Sequence, residues 1–269
     1  MTIRNITIPL KTEPWQRDLL DRRMELCRSL YNAELNEVAH RYHAMQHDPA
    51  YHAVRHVIDE TYALPAAERQ HTKESPAYRQ AMQQQSILFR TYGLTPYTIH
   101  DRAIEMAKPY AAILPSRVAH FTIGIPLWQA THGVLLGTQT GFCYKREGDI
   151  RVLMSDGRSG IRLLGPNGRG CRSGIVLNVQ PSGEEEDTEN NAQWKHSSAG
   201  PATPVVVYGK GKGRRAIRLP LILDPADTYM REALARPFRI IRLLRRPHHG
   251  RDRYYLQLTC ETDPPQVAE

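Results

Sequence analysis

The stretch that decides the fold is residues 235–261, which read ARPFRIIRLLRRPHHGRDRYYLQLTCE. Basic and apolar residues alternate on both sides of the HHG turn, as they do in strands that bury one face and expose the other. Residues 205–262 contain thirteen Lys and Arg and five Asp and Glu, a net charge of +8 that equals the charge of the whole chain. Each phosphate that such a positive stripe neutralises releases condensed counterions. The segment therefore predicts a basic hairpin that binds nucleic acid; an Arg-rich solvated surface is the alternative.

The bulk composition indicates a globular protein with an anionic partner. The chain has 269 residues, of which 41% are hydrophobic and 24% charged, and its pI is near 9.4. No apolar run reaches the roughly 20 residues that span a bilayer, and the N-terminus MTIRNITIPLKTEPW lacks the apolar region of a signal peptide. The cysteines Cys27, Cys143, Cys171 and Cys260 form no CxxC pair, which excludes a zinc ribbon within this sequence. We therefore expect a cytoplasmic protein without a membrane partner.

The N-terminal half combines one strand with a series of helices. Residues 3–10 (IRNITIPL) alternate in a strand pattern. Glu13–Met45 carries apolar residues three and four apart, with Pro14 in the first turn. Prolines and glycines then divide the rest of this half into shorter helices. We predict a strand within residues 1–12 and a helical bundle over residues 13–140.

The C-terminal half has the pattern of strands and turns. Residues 142–164 (FCYKREGDIRVLMSDGRSGIRLL) alternate around Gly and Asp-Gly turns, which is typical of hairpins. Residues 180–204 are acidic and polar, so we expect a flexible insertion there, and residues 264–269 have the composition of a linker. A lone strand leaves its backbone groups unpaired, so the opening strand should pair with the C-terminal strands. These patterns predict an α+β fold in which a β-barrel, completed by residues 141–263, is interrupted by the helical bundle.

Five segments in order resemble the N-terminal half of the TnpB transposon nucleases and of the type V CRISPR effectors derived from them. They are residues 9–35 (PLKTEPWQRDLLDRRMELCRSLYNAEL), in which CRSLYN is the most typical stretch, then RTYGLTPYTIHD, LPSRVAHFTIGIPLWQATHG, KREGDIRVLMSDGRSGIRLL and RIIRLLRRPHHGRDRYYLQLTCETDPP. The resemblance covers nearly the whole chain. It implies an oligonucleotide-binding-like β-barrel, the wedge domain, interrupted by a helical recognition lobe.

In that family these two domains hold the guide RNA scaffold, read a short motif in the target double-stranded DNA and cradle the guide–target duplex. The family's RuvC nuclease domain and zinc ribbon have no counterpart in this sequence. The acidic run Glu184–Asp187 has no hydrophobic strand beneath it, and two-metal cleavage needs converging carboxylates. We therefore expect no catalytic residue, metal ligand or cofactor in this chain. Magnesium is expected only in a separate RuvC-bearing chain or in a missing C-terminal half.

Basic and polar residues of several segments are the candidate RNA and DNA contacts. The glycines of the GKGKGRR run allow the backbone to approach a phosphate, although the spacing is not that of a P-loop. Hairpin arginines can grip phosphates with paired donors, and Tyr254 or Tyr255 can stack on a base. Each candidate has a structural alternative, such as a solvated turn, a packed tyrosine or an exposed helical residue. The candidates are Lys210, Lys212, Arg214, Arg215, Arg242, Arg245, Arg246, Arg251, Arg253, Lys145, Arg146, Trp15, Gln16, Arg28 and Asn32.

Two other functions fit parts of the sequence. A stand-alone nucleic-acid-binding repressor that works without a guide would have the same composition. A metal-dependent nuclease is the second alternative, because two groups of histidines fall at helical spacing and could share a face. No ordered Cys or Glu ligands accompany these histidines in the sequence, and no nucleophile motif for acyl transfer occurs. The histidines are His40, His43, His47, His52 and His56.

Overall fold

The computed structural model describes residues 2–111, 113–156, 161–164, 174–177, 207–208, 215–224, 226–235 and 238–262. Within these ranges the chain begins with one strand, continues with a series of helices, and ends in a region of antiparallel strands. The predicted α+β class is confirmed. The expected insertion at 180–204 and the expected linker at 264–269 lie outside the described residues.

Local capping signals start most of the helices. Proline stands in the first turn of the first, second, fourth and fifth helices, where its missing N–H costs no helical hydrogen bond. Asp48, Ser75 and Thr95 accept hydrogen bonds from first-turn N–H groups. Within the described ranges, none of the helices has the combined length and apolar composition of a transmembrane segment. The helical elements are α1 (Pro14–Gln46), α2 (Pro49–Ala63), α3 (Ala66–Lys73), α4 (Pro76–Thr91), α5 (Pro96–Ala107), a 3-10 turn (Lys108–Tyr110), α6 (Ser116–Ala119), a π-helical turn (His120–Gly124), α7 (Ile125–Leu135) and α8 (Thr228–Ala235).

The first sheet brings the two ends of the chain together. It is antiparallel, and it contains β1 (Thr2–Pro9), β8 (Arg251–Thr262), β7 (Phe238–His248) and β2 (Val152–Ser155) in that order. β1 pairs with β8 along its whole length, from Thr2 opposite Thr262 to Pro9 opposite Tyr255. The expected pairing of the opening strand with the C-terminal strands is therefore confirmed.

Among the described strands the second sheet is open, as is the first. It contains β3 (Ile161–Leu164), β4 (Gly174–Leu177), β6 (Arg215–Pro220) and β5 (Val207–Tyr208) in that order, and it meets the first sheet where Leu10 pairs with Leu221. The prediction of a closed β-barrel is thus wrong for the part of the chain that the structure describes. In the described residues, the outer edge of β2 contacts the π-helical turn, where Met154 N donates to Thr122 Oγ1 at 2.9 Å.

The segment 142–164 does not form the expected hairpin. Residues 142–151 carry no strand, β2 pairs with β7, and β3 pairs with β4. Leu153 and Ser155 of β2 are buried opposite Leu243 and Ile241 of β7. β2 therefore has a partner that is distant in sequence, and an Asp-Gly turn signal cannot identify such a partner.

Helix α1 connects the sheet to the helical bundle. It has 33 residues, which at 1.5 Å per residue give a length of about 50 Å. Asp21 in its first half contacts Arg245 of β7, whereas Glu34 in its second half accepts a 2.6 Å hydrogen bond from Arg102 of α5. The apolar residues between these polar contacts, including Cys27, belong to one hydrophobic core that the sheet and the bundle share.

Candidate nucleic-acid interface

Strand register divides the hairpin arginines between two faces of the sheet. Leu243 and Leu256 point into the core and are fully buried, and successive side chains of a strand point to opposite faces. Arg245 therefore lies on the core side, facing α1. The opposite face carries a set of residues that we call the outer basic face, namely Arg242, Arg246, Arg251, Arg253 and Tyr255.

One cross-strand pair on the outer basic face places two arginines directly opposite each other. Arg246 lies opposite Arg253, and His248 lies opposite Arg251. The three arginines are exposed, and no carboxylate of the described residues forms an ion pair with them. Like charges directly opposite each other destabilise an antiparallel pair. An anion bound between these arginines would remove that penalty.

A tyrosine ring supports one of these arginines. The guanidinium carbon of Arg246 lies 5.7 Å from the ring centroid of Tyr255, within the range of a cation–π contact. Tyr255 is half-buried on the same face. Its ring helps to hold the Arg246 guanidinium over the sheet, and its proposed stacking on a base stays a prediction.

A polar ladder extends the outer basic face across three strands. Arg242 Nη1 donates to Thr259 Oγ1 at 2.6 Å, and Thr259 Oγ1 donates to Asn5 Oδ1 at 2.8 Å. Beside them, Gln257 Nε2 donates to Thr7 Oγ1 at 3.2 Å. These bonds hold Arg242 against the sheet, so its guanidinium is more restricted than those of the arginines at the tip of the hairpin.

Arg245 holds α1 against the sheet. Its Nη1 donates to Asp21 Oδ1 at 2.6 Å, and its Nε lies 3.8 Å from Asp252 Oδ2. The hydroxyl of Tyr254 donates to the same oxygen of Asp21; burial and then this hydrogen bond raise the pKa of Tyr254. The Arg245 side chain is only 14% exposed. The structure therefore places Arg245 and Tyr254, both predicted contacts, in an internal network.

The candidates at the start of α1 differ in accessibility. Gln16 Oε1 accepts a 2.9 Å hydrogen bond from Glu13 N, which caps the helix, and Gln16 is fully buried. Its burial keeps it away from nucleic acid in this structure. Trp15 is 36% exposed. Arg28 is half-buried and donates to Glu25, so part of its charge is neutralised locally.

Asn32 attaches the segment after the helices to α1. Its Nδ2 donates to the carbonyl of Lys145, and its Oδ1 accepts from the Lys145 N–H, both at 2.8 Å. The amide thus uses a donor and an acceptor on the backbone and does not present this pair to a base. Lys145 Nζ lies 5.7 Å from the ring centroid of Tyr31, and the next residue, Arg146, is exposed.

The GKGKGRR run contributes little to the described structure. Lys210, Lys212 and Arg214 lie outside the described residues, and Arg215 begins β6, where its backbone pairs with Tyr208. Their contacts with nucleic acid stay predictions. Of the predicted interface, the structure brings together the arginines of the outer basic face.

The histidines at helical spacing lie at the surface. His40, His43, His47 and His52 are exposed, and His56 Nδ1 lies 3.5 Å from Glu60 Oε1 on the same helix. Within the described ranges, no three His, Cys, Asp or Glu side chains are grouped so that they could hold a metal ion. No observation on these residues favours the metal-dependent nuclease.

Sequence reasoning missed the polar ladder. Asn5 and Thr7 alternate with buried Ile6 and Ile8, and Gln257 and Thr259 alternate with buried leucines. This alternation could have placed them on an exposed face. Their position beside Arg242 depends on the register of three strands, which is not visible in any one segment.

Comparison with known proteins identifies no family. No family model matches the sequence, and no curated protein shows significant similarity to it. The resemblance to TnpB and the type V effectors therefore stays a prediction that rests on the five quoted segments.

Proposed function

We propose that this protein binds nucleic acid through the outer basic face, as the non-catalytic half of an RNA-guided DNA-targeting effector of the TnpB-like or type V CRISPR kind. The opposed pair of Arg246 and Arg253 carries the proposal. Both side chains are exposed, and no carboxylate of the described residues pairs with either. A phosphate is the ligand that such a pair fits, because each guanidinium offers a planar fork of donors to it.

The proposal assigns a role to each part of the chain. In the proposal, the two sheets belong to an oligonucleotide-binding-like wedge that holds the guide RNA scaffold, and residues 13–140 form a recognition lobe that contacts the guide–target duplex. Target double-stranded DNA is the second ligand. The carboxylates that bind magnesium for cleavage belong to a separate RuvC-bearing chain or to a C-terminal half. The complex works in the cytoplasm and has no membrane partner.

Salt-dependent binding tests the nucleic-acid interface. For duplex DNA the logarithm of the binding constant falls with the logarithm of salt concentration, with a slope of about −0.9 per phosphate neutralised. In fluorescence anisotropy with a labelled duplex, the double substitution Arg246→Gln and Arg253→Gln should make this slope shallower by roughly 1.8.

A matched control removes the same charge elsewhere. Lys11 and Arg151 are exposed and lie outside both the outer basic face and the proposed recognition lobe, so replacing both with Gln should leave the slope nearly unchanged. An equal decrease in the salt slope of the two double variants would show a general effect of net charge and would contradict the assignment of the outer basic face. A wild-type protein that shows no salt-dependent binding would contradict the proposed function.

A further inference from the structure

A second surface feature lies away from the outer basic face, where the end of α1 meets the chain that leaves α7. It is a groove of about 420 Å³, a volume typical of small-ligand sites. Two tyrosines, a phenylalanine and two glutamines contribute to its walls. These are Tyr42 and Gln46 from α1, and Gln139, Phe142 and Tyr144 from the segment after α7.

The aromatic rings of the groove are held in place by the surrounding structure. Tyr42 and Phe142 pack edge to face, with ring centroids 5.6 Å apart and an interplanar angle of 81°. The Tyr144 hydroxyl donates to Asn36 Oδ1 at 3.2 Å, while the residue stays 50% exposed. Tyr144 therefore presents an exposed ring whose position is fixed at the hydroxyl end, as a stacking platform requires.

The polar groups of the groove are two carboxamides, the Thr140 hydroxyl and the His43 ring. Gln46 Oε1 lies 3.0 Å from His43 Nδ1, and Gln139 packs beside Gly133 at the end of α7. No Asp, Glu, Lys or Arg of the described residues lines the groove. Carboxamides can both donate and accept, so the walls can pair with the edge of a heterocyclic ring.

Positive charge follows immediately after the groove. Lys145 and Arg146 come directly after Tyr144, and Asn32 fixes the Lys145 backbone through two hydrogen bonds. An aromatic groove whose last wall residue, Tyr144, is followed directly by two basic residues is complementary to a nucleotide, which joins a planar base to an anionic phosphate. An unpaired base has its face and edge free, whereas a paired base inside a duplex does not.

We infer that this groove holds one unpaired base of a bound nucleic acid, stacked on Tyr144, with its phosphate toward Lys145 and Arg146. The inference rests on the proposed function, and it adds a single-stranded site to the duplex contacts of the outer basic face. It predicts that the protein distinguishes a duplex with a single-stranded extension from a blunt one.

The test compares two DNA probes, a blunt duplex and the same duplex with a short single-stranded extension. The wild-type protein should bind the extended probe roughly fivefold to 150-fold more tightly, the range that one stacked base contributes. Tyr144→Ala removes the platform. Gly141→Leu narrows the groove, and a Cβ added at position 141 meets no atom within 4 Å. Both variants should lose the preference and keep the affinity for the blunt probe.

The control is Tyr97→Ala, which removes an 82% exposed tyrosine that does not line the groove. This variant should keep the preference for the extended probe.

Equal binding of both probes by the wild-type protein, or a preference that survives in both groove variants, would overturn the inference. Saturable binding of adenosine monophosphate without a preference for the extended probe would assign the groove to a free nucleotide and overturn it as well. If binding of the blunt probe depends on Arg246 but the single-stranded extension adds no affinity, only the inference about the groove fails. If neither probe binds, the proposed function fails with it.

Discussion

The opposed arginines of the outer basic face predict that removing one of them stabilises the free protein. Arg253 is exposed and lies opposite Arg246, so Arg253→Gln removes a repulsion and disturbs no buried contact. Favourable cross-strand pairs contribute about 0.2–1 kcal/mol and like charges directly opposite destabilise, so we expect removal of the repulsion to stabilise by a similar amount. For a chain of this size the melting temperature should therefore rise by about 0.5–4 °C. The same substitution should weaken binding to duplex DNA.

Arg245→Gln, at the residue before Arg246, should have the opposite effect on stability. Arg245 donates at 2.6 Å to Asp21 and is only 14% exposed. A hydrogen bond to a charged group contributes about 1.5–3 kcal/mol, so this variant should melt at a lower temperature. Its DNA salt slope should stay close to that of the wild-type protein.

Thermal denaturation followed by circular dichroism, at low salt and at molar salt, measures both effects. The Debye length falls from about 10 Å at 0.1 M to about 3 Å at 1 M, so the stabilisation by Arg253→Gln should largely disappear at high salt. If Arg253→Gln destabilises the protein as much as Arg245→Gln, or if its effect does not depend on salt, the assignment of the two arginines to opposite faces is wrong.

Three further predictions concern the scaffold. Asn32→Ala removes two hydrogen bonds to the Lys145 backbone and should cost about 1–3 kcal/mol in urea unfolding; unchanged hydrogen exchange at the Lys145 amide would contradict this. The rings of His100 and His120 lie 4.7 Å apart, and burial lowers the pKa of both. Because the unfolded chain then binds protons at a higher pH than the folded protein, the free energy of unfolding should fall as the pH drops below about 6.5. His120→Gln should reduce that fall. Identical dependence of the urea midpoint on pH in the wild-type protein and the variant would refute this prediction. Gly93 has φ +65°, so Gly93→Ala should cost about 1–2 kcal/mol, and an unchanged melting temperature would argue against the left-handed conformation.

Local chemistry made the helices and the end-to-end strand pairing predictable. Pro14, Pro76 and Pro96 each follow a capping residue, and these signals depend only on neighbouring residues. The pairing of β1 with β8 followed from the unpaired backbone of a lone strand. Both arguments need no knowledge of distant contacts.

The rest depends on register and on contacts between distant segments. Arg245 and Arg246 are adjacent and chemically identical, yet one faces α1 and the other faces outward. A shift of one residue in register would exchange their roles. Among the described residues the sheets do not close into the predicted barrel, and the outer edge of β2 contacts Thr122 of the π-helical turn. The sequence pattern of β2 alone does not reveal that contact.

Recovery of bound nucleic acid tests the central claim most directly. The chain is purified at low salt from expressing cells, and the nucleic acid released at high salt is sequenced, in parallel with the double variant Arg246→Gln and Arg253→Gln. The proposal predicts a discrete structured RNA on the wild-type protein and much less on the variant. A heterogeneous mixture would indicate a general nucleic-acid binder that works without a guide. Absence of nucleic acid from the wild-type protein, or equal amounts on both proteins, would contradict the assignment of the outer basic face as the binding surface.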